Sequence, residues 1–144
     1  MNTPIRLLIV DDEPAVLQQV EMLFTRRGFT IRTCRTGEEA LDLVLSYPFD
    51  AALVDVRMPG IDGVEVMHEM QRTRPNVPVI LMSGYTDVNS QELIAEGAAA
   101  WLDKPFTDVD KVVDTIHGVI AKKNASGPKP PPRAERGPSA THWG

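Results

Sequence analysis

The chain has 144 residues, a formal charge of −5 and 42% hydrophobic residues, which suits one domain with a real core and argues against broad binding to nucleic acid. No apolar run approaches the ~20 residues of a membrane-spanning helix, and the first residues lack the pattern of a secretory signal. The single cysteine, Cys34, excludes an internal disulfide framework and a multi-cysteine metal site, and it fits a reducing cytoplasm.

Apolar runs and amphipathic segments then take turns along the chain. Ile5 to Val10 is broken only by Arg6 and reads as a buried strand. Pro14 stands where the first turn of a helix tolerates it, Val16, Leu17, Val20, Leu23 and Phe24 follow at helical spacing, and Gly28 stops the helix. Phe29 to Cys34 alternates polar and apolar, as a strand nearer the edge does. Thr36 and Glu39 have capping-box spacing before the face Ala40, Leu41 and Val44. Ala51 to Val54 is a strand, and Asp62 to about Arg74 a helix with Asp62 and Glu65 spaced as a cap. Val77 to Met82 is a strand, Asp87 to Glu96 a short helix ended by Gly97, and Ala99 to Leu102 a short strand. Thr107 is placed to cap a last helix with the face Val109, Val112, Val113, Ile116 and Ile120. Five strands and five helices in strict alternation imply an α/β fold, a parallel sheet with helices on both faces.

The composition changes near residue 124. Residues 124–144 hold five of the twelve prolines and a small positive balance, Lys129, Arg133 and Arg136 against Glu135, with little that is apolar besides Trp143. Such a segment buries too little surface to offset its ordering entropy. The expectation is a domain over 1–123 and a disordered or polyproline-like tail or linker over 124–144. The stretch Pro-Lys-Pro-Pro-Pro-Arg offers an aromatic groove a ligand, but a plain linker is the default.

In an open parallel sheet, ligands bind at the carboxyl ends of the strands. Asp11 and Asp12 follow the first strand, Asp55 ends the third, Ser83 and Gly84 follow the fourth, and Asp103, Lys104 and Pro105 follow the fifth. Three carboxylates in one pocket repel each other unless a cation is present. All-oxygen ligands suit magnesium or manganese. A cation, an ammonium and a hydroxyl are what a transferring phosphoryl group needs, and a central carboxylate can be the nucleophile. Asp55, before the turn Met58-Pro59-Gly60, is the best placed. Taken singly, Asp11 and Asp12 read equally as a helix cap, Lys104 as a solvated lysine, Ser83 as a turn residue and Trp101 as static packing. Cys34 reads as an inert, partly buried thiol, His68 and His117 as surface residues, and His142 as part of the tail. Asp62 and Asp103 read as cap and surface charge, and Arg26, Arg27, Arg32 and Arg35 as a solvated face.

The segments LLIVDDEP, ALVDVRMPGIDG, VILMSGY and WLDKPF, in this order and spacing, resemble the CheY-like receiver domain of bacterial two-component response regulators, over roughly residues 4–123. The resemblance implies a doubly wound, flavodoxin-like sheet of five strands in the order 2-1-3-4-5. It implies that Asp55 accepts a phosphoryl group from a phosphohistidine of a sensor histidine kinase or His-containing phosphotransferase. It implies Mg²⁺ held by Asp12, Asp55 and the backbone carbonyl of Arg57, with Asp11 helping through water. Ser83 and Lys104 would meet phosphoryl oxygens, and the Lys104–Pro105 peptide would be cis. Trp101 would be an aromatic switch that turns inward as Ser83 moves, changing a partner-binding surface on the fourth helix, fifth strand and fifth helix. Tryptophan is bulkier than the tyrosine or phenylalanine usual at that position. Arg57 and Tyr85 occupy positions that tune hydrolysis of the acyl phosphate, and their size implies a long-lived phosphorylated state.

The resemblance thus implies a cytoplasmic signalling domain, not an enzyme beyond magnesium-dependent self-phosphorylation and autodephosphorylation. A magnesium-dependent phosphatase of the haloacid dehalogenase type would need a second aspartate two residues after Asp55, where Arg57 stands. A nucleotide or flavin module would need a glycine-rich loop after the first strand, where two aspartates stand. A stand-alone receiver, a phosphorelay shuttle and a fragment of a longer regulator or hybrid kinase all remain open. The fourth helix carries Glu92 and Glu96 but no lysine or arginine, so the charged dimer contacts of winged-helix regulators are not evident.

Overall fold

A computed structural model describes residues 3–84 and 89–126. The elements are β1 (Arg6–Val10), α1 (Pro14–Arg26), β2 (Thr30–Cys34), α2 (Gly37–Ser46), β3 (Ala51–Asp55), α3 (Gly63–Thr73), β4 (Val79–Ser83), α4 (Ser90–Ala95), β5 (Ala100–Asp103) and α5 (Val109–Ser126). The strands form one parallel sheet in the order β2-β1-β3-β4-β5, the doubly wound α/β fold that the alternation implies.

Strand alternation divides the core into two layers. Leu7, Ile9, Leu53, Ile80 and Met82 face α1 and α5, where Leu17, Val20, Phe24, Val112, Val113, Ile116 and Ile120 meet them. Leu8, Val10, Ala52, Val54 and Leu81 face the other way, against Ala40 and Val44 of α2, Val66, Met67 and Met70 of α3, and Leu93 of α4. Burying each large aliphatic side chain contributes about 1.5–3 kcal/mol. β3 and β4 are buried at every residue, so they read as continuous apolar runs. β2, at one edge, shows the polar-apolar alternation.

The caps show where local sequence decides and where it does not. Asp62 and Glu65 form a full capping box at α3. Thr36 accepts from the Glu39 amide at 3.1 Å, but the Glu39 carboxylate turns to the Arg35 amide at 3.3 Å, so that box is half made. α5 is capped by Asp108, not Thr107: Asp108 accepts the Lys111 amide at 3.1 Å through its side chain and the Val112 amide at 3.2 Å through its carbonyl. A carboxylate also suits the positive end of a helix better than a hydroxyl. β4 begins at Val79 rather than Val77. α4 begins at Ser90, with Asn89 accepting from the Glu92 amide at 3.1 Å; the expected start at Asp87 lies outside the described residues. α5 runs to Ser126, three residues past the expected boundary, and Lys123 donates to the Asp50 carbonyl at 3.2 Å. The expected disordered tail lies beyond the described residues from 127 onward.

His68, His117 and the four arginines of the solvated face are exposed, as expected. Cys34 is buried rather than partly buried, and burial, with the nearby Glu39 charge, pushes its thiol up to about 12. His68 pairs with Glu96 at 2.9 Å, and His117 packs edge-on to Phe29. On that solvated face Arg27 meets Asp110 at 2.8 Å, Arg32 lies 3.8 Å over the Tyr47 ring, and Arg35 reaches the Asp12 carbonyl at 3.2 Å.

Candidate functional site: an acidic cluster at the sheet edge

Parallel register brings the strand ends to one edge. Val10 lies beside Val54, Asp55 beside Met82, and Ser83 beside Asp103. Asp11, one residue past β1, therefore stands next to Asp55, and Lys104, one past β5, next to Ser83. The Lys104 amide donates to the Ser83 carbonyl at 3.0 Å, which fixes the strand end from which its side chain leaves. The Lys104–Pro105 peptide is cis.

Lys104 is the electrostatic centre. Its Nζ donates to Asp11 Oδ2 at 2.7 Å and lies 3.5 Å from Asp55 Oδ1 and 3.6 Å from Glu13 Oε1. Asp11 is fully buried, and its other oxygen accepts the Glu13 amide at 2.9 Å. Both Asp11 oxygens are thus held, one by backbone and one by ammonium. Asp55 is 4% exposed; burial, opposed by the Lys104 charge and helped by the charges of Asp11 and Asp12, brings its carboxyl up to about 6. Burial alone would lower the Lys104 ammonium. The bond to Asp11 and the charges of Asp55, Asp11 and Glu13 outweigh it and hold the group above its ordinary value.

One oxygen from each of Asp11, Asp12 and Asp55 falls within 4.8 Å of the others. One ammonium does not balance three carboxylates, and the raised Asp55 carboxyl is the physical mark of that excess. Hard oxygen donors in net negative surroundings fit magnesium or manganese, not the metals that favour thiolate or imidazole. Asp12, Asp55 and Lys104 line a cleft of about 540 Å³ together with Glu13, Arg57 and Phe106.

The other expected site residues are placed as follows. Ser83 is buried at the end of β4. Arg57 is exposed and contributes to the cleft. Trp101 is half-buried, packs against the core layer beneath α2, α3 and α4, and donates its Nε1–H to Asp103 at 2.9 Å. Tyr85 lies outside the described residues.

Four contributors escaped sequence reasoning. Glu13 stands within the quoted motif, yet only the fold turns it to Lys104. Arg35 reaches Asp12 from across the sheet edge, a contact 23 residues apart with no local signal. Asp103, read as a surface charge, is the acceptor for Trp101. Gly63 packs so close to β3 that a Cβ there would fall on the Asp55 backbone carbonyl, while its own amide donates to the Val56 carbonyl at 2.9 Å. The closing glycine of the PGIDG run was the available signal for it.

Comparison with known proteins bears on the family and the fold. The family model described as the response regulator receiver domain matches residues 7–117. The cell cycle transcriptional regulator CtrA of Caulobacter vibrioides is 30% identical over 118 residues, 81% of this chain and 51% of that protein. The cell cycle response regulator CtrA of Brucella ovis is 27% identical over the same length, 50% of that protein. The chain thus spans about half the length of the curated relatives it matches. Among solved structures, a CheY-like receiver domain protein from Methanospirillum hungatei superposes with a TM-score of 0.80 at 25% identity, covering 87% of this chain and all of that one. The response regulator TrrA of Thermotoga maritima, solved in complex with Mg(2+)-BeF, superposes with a TM-score of 0.69 at 30% identity, covering 78% of this chain and 98% of that one.

Proposed function

The chain belongs to the response regulator receiver domain family, and on that premise we propose that Asp55 is its phosphoacceptor, with a histidine kinase or His-containing phosphotransferase as donor. One observation carries the reading: a nearly buried carboxylate at the end of an inner strand, facing one ammonium and two further carboxylates. An Asp55 oxygen bonds to phosphorus as the bond to the donor imidazole breaks, and the imidazole leaves with the electron pair. Lys104 stands 3.5 Å from Asp55, close enough to meet a phosphoryl oxygen, and Ser83 ends the adjacent strand to meet another.

Magnesium or manganese, held by Asp12, Asp55 and the Arg57 backbone carbonyl, would supply the charge that offsets the approach of an anion to this acidic cluster. Asp11, with both oxygens already engaged, serves behind that set. The Mg(2+)-BeF complex of TrrA supports this assignment. Arg57, with Tyr85, would crowd the water that hydrolyses the acyl phosphate. Trp101 would switch with Ser83 and alter the α4–β5–α5 surface that a downstream protein recognises, in the cytoplasm where such donors act. The domain itself is assigned to the residues through the end of α5 at Ser126, and the tail to those that follow.

Intact mass after incubation with acetyl phosphate and Mg²⁺ tests the proposal. The expected outcome is one added phosphoryl group, absent without the cation and absent in Asp55→Asn. An adduct of equal yield on Asp55→Asn overturns it, as does no adduct from either acetyl phosphate or a phosphohistidine donor.

A further inference from the structure

We propose that Asp103 is a positioning residue that latches the Trp101 indole in the position seen here and so weights the receiver against its phosphorylated state. This rests on the reading of Trp101 as the switch residue. The two residues are two apart on β5 and share a face of the sheet. The bond between them, Trp101 Nε1 to Asp103 Oδ1, is 2.9 Å, a well-formed N–H···O length. In register, Asp103 lies directly beside Ser83 and Trp101 beside Leu81. Asp103 therefore stands at the side of the serine whose movement would release the indole.

The chemistry is particular to tryptophan. The indole Nε1 donates and cannot accept, so a swing inward leaves its N–H in search of a new acceptor in drier surroundings. Leu81, its neighbour in register, is fully buried and apolar, and a buried unpaired donor is costly. Phenylalanine would bring no such donor, and the hydroxyl of tyrosine lies elsewhere on the ring. A bond made in one position and not in the other shifts the equilibrium by its own differential free energy.

The test uses the full chain with Trp143→Phe, which leaves Trp101 as the sole tryptophan, and compares Asp103, Asp103→Asn and Asp103→Ala. Trp101 emission and iodide quenching are read first, without phosphodonor. Asp103→Ala is expected to shift both, and Asp103→Asn, which keeps an acceptor oxygen, to stay near the parent. The rate of phosphorylation by acetyl phosphate with Mg²⁺ is read next. Asp103→Ala is expected to react about two- to ten-fold faster, the range of one modest hydrogen bond, and the gain is expected to vanish in Trp101→Phe. Emission and quenching unchanged in Asp103→Ala overturn the latch. So does an equal gain in Asp103→Asn, or one that survives Trp101→Phe, because Asp103 would then act through its charge on Lys104. A parent that takes no phosphoryl group counts against the phosphoacceptor reading alone, and the emission comparison still decides whether Asp103 holds the indole.

Discussion

Asp55 and Asp50 are both aspartates beside β3, yet their surroundings push them in opposite directions. Asp55 loses water at the end of an inner strand and faces two carboxylates, so its carboxyl rises to about 6 despite Lys104. Asp50 loses some water too, but the Arg6 side chain and backbone amide both donate to it, the latter at 2.8 Å, and with Lys123 nearby its carboxyl falls below the ordinary 3.8. A carboxyl lowered on folding stabilises the fold above its unfolded value and loses that contribution as pH falls through the folded value. Asp50→Asn is therefore expected to cost about 1 kcal/mol at pH 7, small because Arg6 is well exposed to screening water. In denaturant titrations the gap between wild type and variant should hold down to about pH 4 and close below 3.8. A gap of constant size down to pH 2 would remove the ion pair from the account.

At the scale of the element, two glycines make opposite predictions. Gly63 opens α3 against β3, and any Cβ there meets the Asp55 backbone carbonyl. Gly63→Ala is expected to cost about 2–4 kcal/mol, the range of an overpacked site with nothing flexible to move, and to slow phosphorylation by displacing Asp55. Gly118 stands in the middle of α5 with nothing within 4 Å of a Cβ. There the entropy of glycine is the only difference, and Gly118→Ala is expected to stabilise by about 0.5–1 kcal/mol. Thermal unfolding of the two variants beside wild type decides both signs. Equal effects would mean that helix propensity alone, and not packing against the strand end, sets the tolerance of these positions.

Among the described residues the fold is two apolar layers on one sheet, and α5 completes one of them. Lys123, late in α5, is tied to the Asp50 carbonyl, so a cut at 123 would fall within an element that packs. Ending the chain after Ser126 is expected to leave Tm within about 2 °C of the full chain, less than the shift of one lost kcal/mol in a domain this size, and to leave phosphorylation by acetyl phosphate unchanged. A drop of 5 °C or more would show that residues 127–144 pack on the domain.

Alternation of apolar runs with amphipathic segments was enough to read five parallel strands clothed by helices, because burial of a strand on both faces leaves its mark in consecutive residues. Four motifs, each falling at a strand end, were enough to name Asp11, Asp12, Asp55, Ser83 and Lys104 as candidates. What the chain order could not carry was contact between distant segments. Thr107 and Asp108 are both good caps locally, and only the path out of β5 chose between them. Arg35 and Asp103 are exposed charges, as their sequence reads, but their contacts with the Asp12 carbonyl and the Trp101 indole are visible only in the folded chain. Sequence alone determined which groups could do chemistry here. Tertiary structure decided how they are charged and held, because desolvation and hydrogen bonding depend on what lies within a few ångströms in space, not on what lies next along the chain.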